Sequence, residues 1–159
     1  MSFERAKNHL KKYGAEDKIR EFDVSSATVE LAAEALSCRP AEIAKTLSFK
    51  LADGCVLIVC AGDARIDNAK FKAFFGCKAT MLERERAEEV IGHAVGGVCP
   101  FGVNDGVKIY LDESLKRLPV VYPACGSSNS AVRLTLEELK EYSGAEGYID
   151  VCKNYEPTI

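Results

Sequence analysis

Apolar and polar positions alternate along Thr46-Leu47-Ser48-Phe49-Lys50-Leu51, the period-two pattern of a half-buried strand. Asp53-Gly54 then signals a tight turn, and Cys55-Val56-Leu57-Ile58-Val59-Cys60 follows, apolar on both faces. Together they predict a hairpin whose second strand is central and covered on both sides. Helical spacing dominates elsewhere. Phe3, Ala6, Leu10 and Tyr13 share one face over 2–13, closed by Gly14, and Val29, Ala32, Ala33 and Leu36 do the same over 28–36. Pro40 opens a brief helix that delivers the chain to Lys45. Asp67 caps a helix stapled by Ile66 and Phe71, with Phe71, Phe74 and Phe75 turned inward and Gly76 at its end. A helix over 83–91 buries Ala87, Val90 and Ile91 and leaves its many charges as a solvated face. Thr135 and Glu138 form a capping box, with Leu134 and Leu139 placed as its staple. Further strands are expected over 18–23, 107–111, 119–123, 131–134 and 148–152, with a loose tail from Lys153. Hairpins mixed with helical connections predict an α+β fold with a mixed sheet in a single domain spanning 1–159.

Composition narrows the class. A chain of 159 residues, 47% hydrophobic and 28% charged, supports one globular core. No run approaches the roughly twenty apolar residues of a membrane helix, and the first residues lack a signal-peptide core, so a cytoplasmic protein is the default. Seven cysteines form no C-x-x-C pair and several sit in apolar runs, which reads as buried small hydrophobes rather than a zinc site. The net charge of −3 lacks the basic surface of proteins that grip nucleic acid unaided. A nucleic-acid substrate would have to be held locally or presented by a partner.

Two stretches carry candidate chemistry. Extending the strand alternation back one step puts Lys45 on the face of Leu47 and Phe49, where a partly desolvated ammonium would need an anionic partner. If the strand starts later, Lys45 points into water. The eleven residues from Gly92 to Gly102 hold four glycines, Gly92, Gly96, Gly97 and Gly102, and Pro100, a run incompatible with helix or regular strand. Its amides could cradle an anion or carbonyl oxygen, or it could be a structural turn. It is neither a Walker A loop nor G-x-G-x-x-G. Cys99 within it invites a nucleophile reading, but the sequence pairs no histidine with it. A second small-residue loop runs from Ala124 to Ser130.

Ala44-Lys45-Thr46-Leu47 entering a hairpin, then Gly96-Gly97-Val98-Cys99-Pro100-Phe101-Gly102, then the Gly126 loop before a strand and helix, resemble the YbaK/prolyl-tRNA-synthetase-associated domain family of aminoacyl-tRNA editing deacylases. The resemblance covers roughly 19–152. It implies a curled mixed sheet flanked by helices, with a pocket at its mouth. It also implies trans-editing hydrolysis of a wrong amino acid, typically alanine or cysteine, from proline tRNA, with no cofactor and no metal. The implied catalytic residue is Lys45. The implied substrate-binding residues are Phe22, Thr46, Gly96, Gly97, Val98, Cys99, Pro100, Gly102, Gly126 and Asn129, and the implied partners are the aminoacyl-tRNA 3′ end and prolyl-tRNA synthetase. Many members carry serine where this chain has Cys99, and some carry an acidic residue near the place of Asn129 to Ala131. A module that binds tRNA ends or a synthetase without hydrolysis is the alternative.

Overall fold

The structure, a computed structural model, describes residues 2–156. In chain order its elements are α1 (Ser2–Lys11), β1 (Ile19–Glu21), α2 (Val29–Leu36), β2 (Ile43–Leu51), β3 (Gly54–Ala61), β4 (Arg65–Ile66), α3 (Asn68–Phe75) and α4 (Ala87–Ile91). They continue with β5 (Lys108–Asp112), β6 (Val120–Pro123), β7 (Ser130–Val132), β8 (Leu134–Thr135), α5 (Leu136–Ser143), β9 (Tyr148–Ile149) and β10 (Cys152–Lys153).

The expected hairpin is the spine of the molecule. β2 and β3 pair antiparallel from Ala44↔Ala61 to Leu51↔Gly54, and Gly54 turns the corner at a φ of +149° that a side chain resists. β3 is buried from Cys55 to Ala61, as a strand apolar on both faces must be. Around it a six-stranded mixed sheet runs β8-β6-β2-β3-β5-β9, with β6, β5 and β9 added parallel and β8 antiparallel. Two small ladders, β1 with β7 and β10 with β4, close its ends. The result is a single α+β domain whose curled sheet is flanked, among the described residues, by five α-helices. Among the described residues no helix is long and apolar enough to cross a membrane.

Local signals placed the helices. Asp67 accepts from the Ala69 and Lys70 amides, and Gly76 ends α3 in the left-handed region. The Thr135–Glu138 capping box is formed at both ends.

Several expectations are corrected. β2 begins at Ile43, not Thr46, because β6 pairs with Ile43 and Ala44; Lys45 therefore lies inside the strand rather than at the end of a helix. Only a 3₁₀ turn, Pro40–Glu42, precedes it. α1 stops at Lys11, and Tyr13 is exposed, stacked on Tyr142 at 4.7 Å. Phe74 points outward, 51% exposed, and meets Phe75 and Tyr110 edge-on. The 83–91 helix is a 3₁₀ turn, Arg84–Arg86, followed by the short α4. Lys153 is no loose tail but pairs with Arg65; residues 157–159 of the expected tail lie outside the described residues.

Candidate active site

The outer edge of β2 changes neighbours midway. β6 covers it at Ile43 and Ala44, and the 80–82 segment covers it from Ser48, with Leu82 N–H donating to Ser48 O and Lys50 N–H donating to Thr80 O. Between the two the sheet opens into a cavity of about 470 Å³, within the usual size of a ligand cleft. Its floor is β2 from Ile43 to Ser48, and one wall is α2 with the loop before it. The glycine loop contributes Val95, Gly96 and Val98. The charged lining is Lys45 and Arg84, with no carboxylate.

Lys45 is half-buried, and its Nζ donates to Ala64 O at 2.5 Å and lies 3.5 Å from Gly62 O. Those carbonyls belong to the loop after β3. That loop is pinned by a two-pronged pair in which Arg117 Nη2 and Nη1 donate to Asp63 at 2.6 and 2.9 Å. Arg117 is 4% exposed, and its hydrogen bonds hold the Asp63 carboxyl below the usual carboxylate range. A side chain at Gly62 would strike Pro40 O, so the loop approaches the site only because glycine stands there. The ammonium is thus oriented by backbone carbonyls, with Asp63 as its nearby anion.

The glycine loop is stapled at its root. His93, fully buried, donates from Nε2 to Phe101 O at 2.7 Å, bridging the two ends of the loop. Cys99 Sγ lies 3.6 Å from both His93 Nε2 and Phe101 O. The structure therefore does pair a histidine with Cys99, which the sequence spacing hid. Because the Nε2 hydrogen goes to a carbonyl, that nitrogen cannot accept the thiol proton. Burial pushes the Cys99 thiol far up and His93 down, so neither ionises readily. Among the described residues no three His, Cys, Asp or Glu side chains cluster as a metal site.

Lys45, Thr46, Gly96 and Val98 thus meet at one cavity. Gly97 and Gly126 instead pack against each other, where a Cβ on Gly97 would come within 2.7 Å of Gly126 C, and they line a neighbouring groove with Ser2 and Arg5. Cys99 is buried beneath the loop, and Gly102 lies on the backbone of Arg5. Pro100, also buried, is not among the cavity's lining residues. Phe22 packs on α2, its backbone tied to Asn129 by Phe22 N–H to Asn129 O at 2.8 Å and Asn129 Nδ2 to Phe22 O at 3.1 Å. The sequence missed Arg84, which it put on a solvated charged face, and the α2 wall of Thr28, Val29 and Ala32. α2's wall was legible as helix but not as lining, because the cavity is completed by the 80–84 segment and the glycine loop, which lie far from α2 in the chain.

The sequence profile of the aminoacyl-tRNA editing domain matches residues 23–142. YwhH, an uncharacterised protein of Bacillus subtilis, is 49% identical over 98% of this chain and 100% of its own length. The proline–tRNA ligase of Kosmotoga olearia is 34% identical over 57% of this chain, a match that spans 16% of the ligase. A crystal structure described as a proposed trans-editing enzyme for prolyl tRNA synthetase superposes with a TM-score of 0.86 at 31% identity, over 96% of this chain and 97% of the other. The hypothetical protein APE2540 superposes at 0.83 with 26% identity, over 94% and 99%.

Proposed function

The chain belongs to the aminoacyl-tRNA editing domain family, and on that premise we propose that it hydrolyses the ester of mischarged aminoacyl-tRNA in trans, removing alanine or cysteine from proline tRNA. The observation that carries this reading is that Lys45 lines one carboxylate-free cavity together with Gly96 and Val98 of the glycine loop. An aminoacyl ester is already activated, so orientation and modest charge stabilisation suffice. Water adds to the ester carbonyl carbon, the carbonyl oxygen takes the negative charge, and the ribose oxygen leaves with a proton. Gly97 N–H is taken up by Ala94 O, so amide donors for that oxygen come from Gly96 or Val98. Lys45, held by Gly62 and Ala64 carbonyls, orients the ribose or phosphate of the terminal nucleotide. The apolar lining of Val29, Leu47 and Val98 suits a small side chain.

The test is a deacylation panel of mischarged tRNAs with wild type and Lys45→Ala. We expect turnover of Ala- or Cys-charged proline tRNA, and a loss of roughly 10² in rate for the variant, the size that a mispositioned substrate costs. Full rate in Lys45→Ala would remove that residue's role. No turnover on any charged tRNA, with an unreactive aminoacyl-adenosine still bound, would leave a binding module.

A further inference from the structure

Strand pairing on the outer edge of β2 skips one residue. Alternate residues of a strand direct their backbone groups to the same side. Ser48 C=O and Lys50 N–H face the 80–82 segment, so Thr46 N–H and C=O face that side too. There, however, β6 has ended at Ala44 and the 80–82 segment has not begun. A strand edge one residue long, with one donor beside one acceptor, looks into the cavity. The same residue carries a second irregularity: Thr46 Oγ1 is buried and has no hydrogen-bond partner. Such a hydroxyl is unfavourable unless a ligand completes it. Thirdly, Met81 and Val95 line this cavity while 54% and 43% exposed, which puts large apolar side chains in water at its mouth. One comes from the 80–82 segment and the other from the glycine loop.

The geometry points to Thr46 as the residue that reads a purine base by its edge. Its N–H donates to a ring nitrogen and its C=O accepts from an exocyclic amine, the acceptor-beside-donor pattern that adenine offers. Met81 and Val95 then cover the ring faces, as apolar side chains do for an unstacked base. An α-ammonium group, the other polar group of an aminoacyl end, carries donors only and would leave Thr46 N–H unmet. This inference rests on the proposed function, under which the base is the 3′-terminal adenine of the charged tRNA.

The experiment measures binding of two unreactive nucleosides by calorimetry: 3′-alanylamido-3′-deoxyadenosine and its purine counterpart lacking the 6-amine. Wild type should bind the adenine compound roughly tenfold more tightly, the effect of one lost hydrogen bond at a desolvated site. Met81→Ala should weaken both compounds alike, and Thr46→Val should weaken both by removing the hydroxyl while the backbone preference for the amine persists. Equal affinity for the two compounds would overturn the base reading even if deacylation proceeds normally. A preference for the amine without turnover of any charged tRNA would support the base reading while ending the deacylase assignment. If neither compound binds, the base reading falls, and turnover in the deacylation panel alone decides the proposed function. Should Thr46→Val fail to fold, the pair of compounds on wild type still decides.

Discussion

At the scale of single residues, the buried Cys99–His93 pair decides between two chemistries. A cysteine nucleophile needs a thiolate and a base that can take its proton. Here His93 Nε2 already donates to Phe101 O, Cys99 is fully buried, and desolvation pushes its thiol far up. Cys99→Ala should therefore keep deacylation within a few-fold of wild type, measured on the best substrate of the panel; a drop as deep as that of Lys45→Ala would restore the covalent route. His93 itself should mark the stability profile. Burial is the main cause lowering it below its ordinary 6.5, so the unfolded chain takes up a proton before the folded one. Stability is complete above about 6.5 and falls as pH drops below it towards the folded value. The carboxylates with lowered values, such as Glu138 and Glu83, act only below their ordinary 4.5. Melting temperature should thus decline between about pH 6.5 and 4.5, and His93→Gln should flatten that decline even if it lowers the plateau. An equal slope in the variant would assign the window elsewhere. The sequence marked Lys45 by simple alternation, yet could not show that carbonyls of Gly62 and Ala64 hold it. Those partners depend on where a later loop returns.

At the scale of elements, the loop after β3 links stability to the site. It carries the carbonyls that orient Lys45, and its own anchor is the Asp63–Arg117 pair, with Arg117 also donating to Ser114 O and Glu156 O. Removing the carboxylate leaves a guanidinium that is 4% exposed without its counter-ion, which typically costs about 3 kcal/mol or more. Asp63→Ala should lose about that much in urea unfolding. It should also slow deacylation under conditions where the variant remains folded, because the loop then holds Lys45 less firmly. A stability loss with unchanged rate would separate the loop from the chemistry. Elements set by local signals were legible: α3 between Asp67 and Gly76, α5 behind its capping box, and the hairpin at Asp53-Gly54. Elements set by distant pairing were not. β2 gains Ile43 and Ala44 only because β6 arrives beside them, and β10 exists only because Arg65 and Ile66 lie alongside. Phe74 kept helical spacing with Phe71, but α3 covers the sheet with one face, leaving room for Phe71 and half of Phe75 and none for a third ring.

At the scale of the whole molecule, charge limits how a large nucleic acid is held. The chain carries −3 overall, and the cavity offers two cations, Lys45 and Arg84. Each phosphate neutralised on a single strand contributes a slope of about −0.7 to the logarithmic salt dependence of binding. Two contacts at an unpaired 3′ end therefore predict a slope near −1.4, far shallower than for a protein that tracks a duplex backbone. The body of the tRNA should accordingly add little. A short acceptor-stem hairpin bearing the same mischarged 3′ end should be deacylated with a kcat/KM close to that of the intact tRNA, and both should share the shallow salt slope. Arg84→Ala should flatten the slope by about half, since it removes one of the two cations. A steep slope, or strong preference for intact tRNA by the isolated protein, would mean that a basic surface outside this cavity engages the stem. Intact-tRNA preference appearing only when prolyl-tRNA synthetase is added would instead place recognition of the tRNA body in the partner, leaving this chain to read the charged end.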